Sequence, residues 1–181
     1  MPEKSAVIPM SNAHFTAMTW LFKFADLFTR AEARVEAIPL QPGMVVVDYG
    51  CGPGRYTIPV ARAVGKEGRV FAVDIQPLAI ETVRRKAART LLTNVDALLV
   101  DSYESGIPAR SVDLALLIDT FHAVSDQGAL LHKIHRMLKR EARFFMDAGH
   151  MKQPKAEEII AATGLFTIAD CRGKNLLLTP K

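Results

Sequence analysis

Val45-Val46-Val47-Asp48-Tyr49-Gly50-Cys51-Gly52-Pro53-Gly54 is the stretch that decides the fold. Its three valines are β-branched, which suits a buried strand. Gly50, Gly52 and Gly54 then let the main chain turn sharply and approach a ligand closely. Residues 55–64 read as a helix. A strand, a glycine turn and a helix in succession mark the place where α/β folds hold a nucleotide-like ligand, against the free N–H groups of a helix start.

Outward from this turn the chain alternates. Residues 44–48, 69–75, 95–100, 112–118 and 143–147 read as strands. Between and after them lie helices over 76–91, with Pro77 in the first turn, over 126–139, and over 154–163, stopped by Gly164. Residues 166–171 and 176–179 are two closing strands joined by Arg172-Gly173-Lys174-Asn175, a hairpin signal. The pattern predicts an α/β fold: a doubly wound, seven-stranded, mostly parallel sheet with an antiparallel C-terminal hairpin and helices on both faces.

Ahead of this core, residues 13–38 have a helical pattern with Ser11-Asn12 as N-caps. Phe15, Met18, Trp20, Phe22, Phe24, Leu27 and Phe28 spread around more than one face of that helix, so something must cover it. Gln41-Pro42-Gly43 breaks the pattern. Residues 1–42 are therefore read as an N-terminal segment and 43–181 as the main domain. The aromatic helix leaves two readings open. It is a lid over the ligand site, or it packs on the sheet edge or on a second copy of the chain in a homodimer.

Bulk properties narrow the classes. With 181 residues, 49% hydrophobic and 23% charged, the chain can bury a full core. A net charge of +4 is mild, and its densest cluster, Arg84-Arg85-Lys86 with Arg89, reads as a solvated helix face rather than a nucleic-acid footprint. Two distant cysteines match neither a disulfide framework nor a metal spacing, which predicts a reducing cytoplasm and no metal. The N-terminus lacks the features of a signal peptide, and Lys23 and Asp26 interrupt the apolar stretch from Phe15 to Phe28, so no membrane span is expected.

The glycine spacing discriminates between ligands. A dinucleotide fold needs G-x-G-x-x-G. Counted from Gly50, Arg55 falls where the third glycine belongs; counted from Gly52, Thr57 does. What stands here is D-x-G-x-G-x-G. Together with Val-Phe-Ala-Val-Asp ending at Asp74, Asp101 after the third strand and Ile118-Asp119-Thr120-Phe121-His122 after the fourth, it resembles the class I S-adenosylmethionine-dependent methyltransferases. The resemblance is strongest to the ubiquinone/menaquinone-biosynthesis-like and type 11 group. Its specific motifs lie within residues 43–150, including the Ile-His-Arg-Met-Leu-Lys end of the helix before strand five.

That resemblance implies a Rossmann-like fold and S-adenosylmethionine as cofactor. The glycine loop, Asp48, Gly50, Cys51, Gly52 and Gly54, would pass under the methionine part. Asp74 would hold the ribose hydroxyls, and Asp101 with Ser102 would face the adenine. Ile118 and Asp119 would line the space between cofactor and acceptor, with Tyr56 and Ile75 completing the cofactor contacts. Chemistry agrees, since a carboxylate at a strand's C-terminal edge can accept both ribose hydroxyls. Local roles remain open beside these: Asp48 as a staple of loop N–H groups, Asp74 as a helix cap before Pro77, Asp101 as a loop acid. Cys51 reads as a small packed side chain rather than a nucleophile.

His122 is the candidate catalytic base, because imidazole titrates near neutrality and this one follows strand four; packing is its other reading. The family's Pro-Gly-Gly turn before strand five is replaced by Lys139-Arg140-Glu141-Ala142. The expected activity is methyl transfer to a small-molecule acceptor. The alternatives are a non-catalytic S-adenosylmethionine-binding or partner-binding module, and an RNA or protein methyltransferase. The last has against it the absence of an Asn-Pro-Pro-Tyr-like motif after strand four.

Overall fold

The structure, a computed structural model, describes residues 11–13, 15, 17, 31–101 and 105–181. Most of the expected aromatic helix, including Trp20, lies outside them, as do His14 and Ser102. Phe15 is described and is buried. Near the expected end of that helix at residue 38, the structure describes a short helix α1, Ala31–Glu36.

Seven strands form one sheet: β1 (Val45–Tyr49), β2 (Arg69–Asp74), β3 (Val95–Leu99), β4 (Val112–Leu117), β5 (Leu138–Asp147), β6 (Phe166–Arg172) and β7 (Asn175–Pro180). Their order is β3-β2-β1-β4-β5-β7-β6. The first five are parallel, and β7 runs antiparallel between β5 and β6. This is the doubly wound, mixed sheet that the alternation of elements predicts.

The central strands are apolar on both sides because both faces are covered. Val46, Leu114 and Leu116 turn to one face, where they meet Val35 and Ile38 at and after α1 and Val60, Ala61 and Val64 of α2 (Thr57–Val64). Val47, Ala115 and Leu117 turn to the other. There they join Leu130, Leu131 and Ile134 of α4 (Gln127–Met137) and Ala156 and Ile160 of α5 (Gln153–Thr163). Between β2 and β3, α3 (Pro77–Arg89) packs Ile80 and Val83 on Ala72 and Ala97. Arg84, Arg85 and Arg89 on its outer side are exposed, as expected of a solvated face.

One element differs from expectation. The helix before strand five ends at Met137, and β5 begins at once at Leu138 rather than at residue 143. Its pairing with β4 steps from Val112–Leu138 to Leu114–Arg143, so β5 carries more residues than β4 across the same span. Lys139-Arg140-Glu141-Ala142 forms a bulge within the sheet instead of a turn before it. Ala142 is buried in the core while its three charged neighbours are exposed, which fixes the kink.

Candidate active site

Parallel strands put their C-terminal ends on one edge. Following the strand order, that edge carries Asp101 after β3, Asp74 ending β2, Asp48 in β1, Asp119 after β4 and Asp147 ending β5. The chain winds one way from β1 to β3 and the other way through β4 and β5. The crevice at β1 and β4 is therefore the switch point where open α/β sheets bind ligands.

The glycine turn stands at that crevice. Gly50, Gly52 and Gly54 all have positive φ, at 76°, 50° and 76°. A Cβ on Gly50 would fall 2.4 Å from Thr120 Oγ1, so this glycine lets the turns after β1 and β4 touch. Among the described residues a Cβ on Gly52 would meet nothing within 4 Å, so its main chain borders open space there. The Gly52 N–H donates to Asp74 Oδ2 at 2.8 Å, and the Gln76 N–H donates to Asp74 Oδ1 at 2.9 Å. Each oxygen keeps acceptor capacity for a hydroxyl. Burial raises the Asp74 pKa, with these N–H groups and that of Ile75 pulling against it. Open main chain beside a strand-end acid with spare lone pairs fits an adenosyl ribose.

Asp48 is buried and accepts the Thr57 hydroxyl on Oδ2 at 2.6 Å. Burial pushes its pKa up to about 6, which the Thr57 bonds counter and nearby Asp74 reinforces. Its contacts tie the turn to the start of α2, the stapling role. Cys51 is buried with Ala72, Ile80, Val83 and Ala97, and burial followed by the charges of Asp48 and Asp74 drives its pKa far up. It is a packed thiol, and only its main chain belongs to the turn. Asp101 is exposed, one strand beyond Asp74. Ile75 packs against the core.

On the β4–β5 side, Asp147 is fully buried. Its Oδ1 accepts the N–H groups of Asp119 and Gly149, both at 2.9 Å, and its Oδ2 pairs with Arg34 of α1. Arg34 also donates to Asn175 Oδ1 at 2.8 Å and to the Tyr56 hydroxyl at 3.3 Å, and its Nη1 lies 3.6 Å from Asp119 Oδ2. The network clamps α1 onto the ends of β4, β5 and β7, and it holds Asp119 at a φ of 53°. Tyr56 is thus bound to Arg34, and burial raises its pKa.

His122 stands in a 3₁₀ turn, Phe121–Ala123, beside this network. Its ring meets His150 edge-on at 4.7 Å, and its buried Nδ1 has no hydrogen-bond partner among the described residues. Burial first, then His150, lowers its pKa, which favours the uncharged imidazole, while Asp119 and Asp147 pull the other way. Gly149 fits beneath the ring, since a Cβ there would come 2.1 Å from Nδ1.

A profile described as a methyltransferase domain matches residues 40–163, from just before β1 to the end of α5. The chain belongs to that family. The methyltransferase-domain family uses S-adenosylmethionine, the cofactor that the resemblance implies. Aklanonic acid methyltransferase of Streptomyces sp. (strain C5) is 40% identical over 74 residues, 41% of this chain and 34% of that protein. Demethylmenaquinone methyltransferase of Geobacillus stearothermophilus is 25% identical over 128 residues, 71% of this chain and 55% of that protein. The chain thus spans between a third and about half of these relatives. A crystal structure of a SAM-dependent methyltransferase from Aquifex aeolicus shares the fold, with a TM-score of 0.73 at 22% identity over 83% of this chain and 87% of that one.

Sequence reasoning did not single out Asp147 or Arg34. Asp147 had a readable signal, because Phe144-Phe145-Met146-Asp147 repeats the apolar-strand-then-acid pattern that drew attention to Asp48 and Asp74. Arg34 had none: its ion pair spans 113 residues of sequence.

Proposed function

We propose that this methyltransferase domain transfers a methyl group from S-adenosylmethionine to a small-molecule acceptor. The observation that carries the reading is the edge at β1 and β2, where open main chain at Gly52 adjoins Asp74 in a chain matching the family over residues 40–163. When bound, the cofactor supplies an electrophilic methyl on a sulfonium, a leaving group that needs no protonation.

The residues divide the remaining work. Gly50, Cys51, Gly52 and Gly54 offer main chain to the cofactor, Asp74 holds its ribose, and Asp101 and Ser102 border the adenine. Asp48 and Tyr56 brace the turn, with Ile75, Ile118 and Asp119 along the wall. Neutral His122 is assigned to accept, at Nε2, the proton that an acceptor hydroxyl or acidic carbon loses. Small-molecule acceptors are supported by the relatives, whose names specify aklanonic acid and demethylmenaquinone. Residues 1–42 are read as a cover for the acceptor side, supported by the Arg34 clamp at that edge. Two unpaired cysteines fit a reducing cytoplasm. Among the described residues no helix is long and apolar enough to cross a membrane.

Incubation of the protein with methyl-labelled S-adenosylmethionine and a cell extract, then separation of small molecules, RNA and protein, tests the acceptor class. Label in the small-molecule fraction supports the reading. Label confined to RNA or protein replaces the acceptor class, and binding without label in any fraction supports a non-catalytic module.

A further inference from the structure

The end of the sheet opposite the glycine turn carries a feature that methyl transfer does not use. There, where β4 and β5 begin and β7 ends, a cavity of about 200 Å³ is lined by Arg110, His135, Arg136, Lys139, Arg140 and Lys181. Five of these are cations in a chain whose entire formal net charge is +4. Like charges gathered this way repel one another and raise the local concentration of anions.

Some of the charge has a structural partner. Arg136 and His135 lie in the last turn of α4, whose carbonyl end favours cations. The Arg136 guanidinium donates to Ile107 O at 3.2 Å, His135 Nε2 is 3.4 Å from Lys181 O, and Lys139 Nζ pairs with Asp113 Oδ1 at 2.7 Å. Among the described residues Arg110 and Arg140 have no such side-chain partner.

Both are placed by departures from regular backbone. Arg110 has a φ of 52°, a conformation that a glycine would adopt at lower cost, and its N–H is anchored to Arg136 O at 3.0 Å. Arg140 sits in the β5 bulge, where the pairing with β4 steps from Leu138 to Arg143. Bulges re-aim side chains, and retained backbone strain points toward function.

We propose that this basic cavity is a second site, binding a compact phosphate-class anion such as a diphosphate. The volume is below the roughly 300–1,000 Å³ of pockets that take drug-sized ligands, so it suits a small, multiply charged group rather than a whole cofactor. Arginine guanidinium groups match phosphate oxygens in pairs. The site is independent of the methyl-transfer reading, since it lies at the other end of the strands.

Calorimetric titration with inorganic pyrophosphate at low salt, about 50 mM, tests this on the full chain, where surface charges are weakly screened. One site per chain is expected. In the double variant Arg110→Gly, Arg140→Ser, affinity should fall by at least about tenfold, the loss expected from removing charge-assisted bonds. Arg110→Gly relieves a strained φ and Arg140 is exposed, so the thermal midpoint of the variant should not drop. Absence of pyrophosphate binding, or unchanged affinity in the folded variant, overturns the proposal. A short single-stranded RNA that binds more tightly than pyrophosphate, with a steep salt dependence, also overturns it in favour of a nucleic-acid surface.

Discussion

The carboxylate of Asp147, at the end of β5, receives the main-chain N–H of Asp119 at 2.9 Å and so holds the turn after β4 at its positive φ. Its other oxygen pairs with Arg34, so one buried acid ties the turn after β4 to α1. Removing one partner of a buried pair costs about 3–5 kcal/mol. Asp147→Ala, which loses both loop bonds and the ion pair, should approach that figure in urea unfolding. Asp147→Asn, which can keep both N–H bonds on Oδ1, should cost less. Arg34 retains some exposure, 22%, so Arg34→Ala should fall at the lower end. Equal stability of Asp147→Ala and wild type would contradict the clamp.

Asp48 predicts a pH signature. Its carboxyl binds a proton more tightly when folded, with the pKa pushed up to about 6 from 3.8. Its contribution to stability is therefore full below the unfolded value and is lost as pH rises through about 6. Asp48→Asn can keep the Thr57 bond and does not titrate. The stability of wild type minus that of Asp48→Asn should fall by up to about 3 kcal/mol between about pH 4 and pH 7. A flat difference across that range would contradict it.

The glycine turn predicts an order of costs. Gly52→Ala meets open space and carries only the left-handed backbone penalty, roughly 1–2 kcal/mol. Gly50→Ala carries that penalty and also drives its Cβ into Thr120, adding about 1–3 kcal/mol. Thermal unfolding should rank Gly50→Ala below Gly52→Ala, while Gly52→Ala should lose the most cofactor affinity for the least stability. The reverse ranking in stability would show that the two turns do not touch as described.

His122 should titrate below the 6.5 of a free imidazole in an NMR titration of the histidine rings, because burial and His150 disfavour its charged form. Gly149→Ala should displace the ring, since its Cβ would lie 2.1 Å from Nδ1, and move that titration. In turnover assays, His122→Asn should lower kcat most for acceptors that lose a proton. A His122 that titrates at or above 6.5 would remove the argument for a neutral base.

The sheet was legible because its signals are local. Runs such as Val45-Val46-Val47 and Leu114-Ala115-Leu116-Leu117 reflect strands covered on both faces, and glycine turns reflect φ values that few other residues adopt. The β5 bulge was not legible, because Lys139-Arg140-Glu141 has the composition of a turn and only pairing with β4 makes it strand. Within the site, the acids ending β1 and β2 could be read from strand pattern alone. The Arg34–Asp147 pair could not, since it joins segments brought together only by the folded sheet.

In the proposed function, the turn from Asp48 to Gly54 holds an adenosyl cofactor whose ribose rests on Asp74. Calorimetric titration with S-adenosylhomocysteine and with NAD, on wild type and on Asp74→Ala, decides whether it does. One S-adenosylhomocysteine per chain is expected, with no NAD binding and affinity weakened on the order of tenfold to a hundredfold in Asp74→Ala, the cost of losing bonds to a charged acceptor. Binding of NAD in place of S-adenosylhomocysteine, or wild-type affinity in Asp74→Ala, would contradict it.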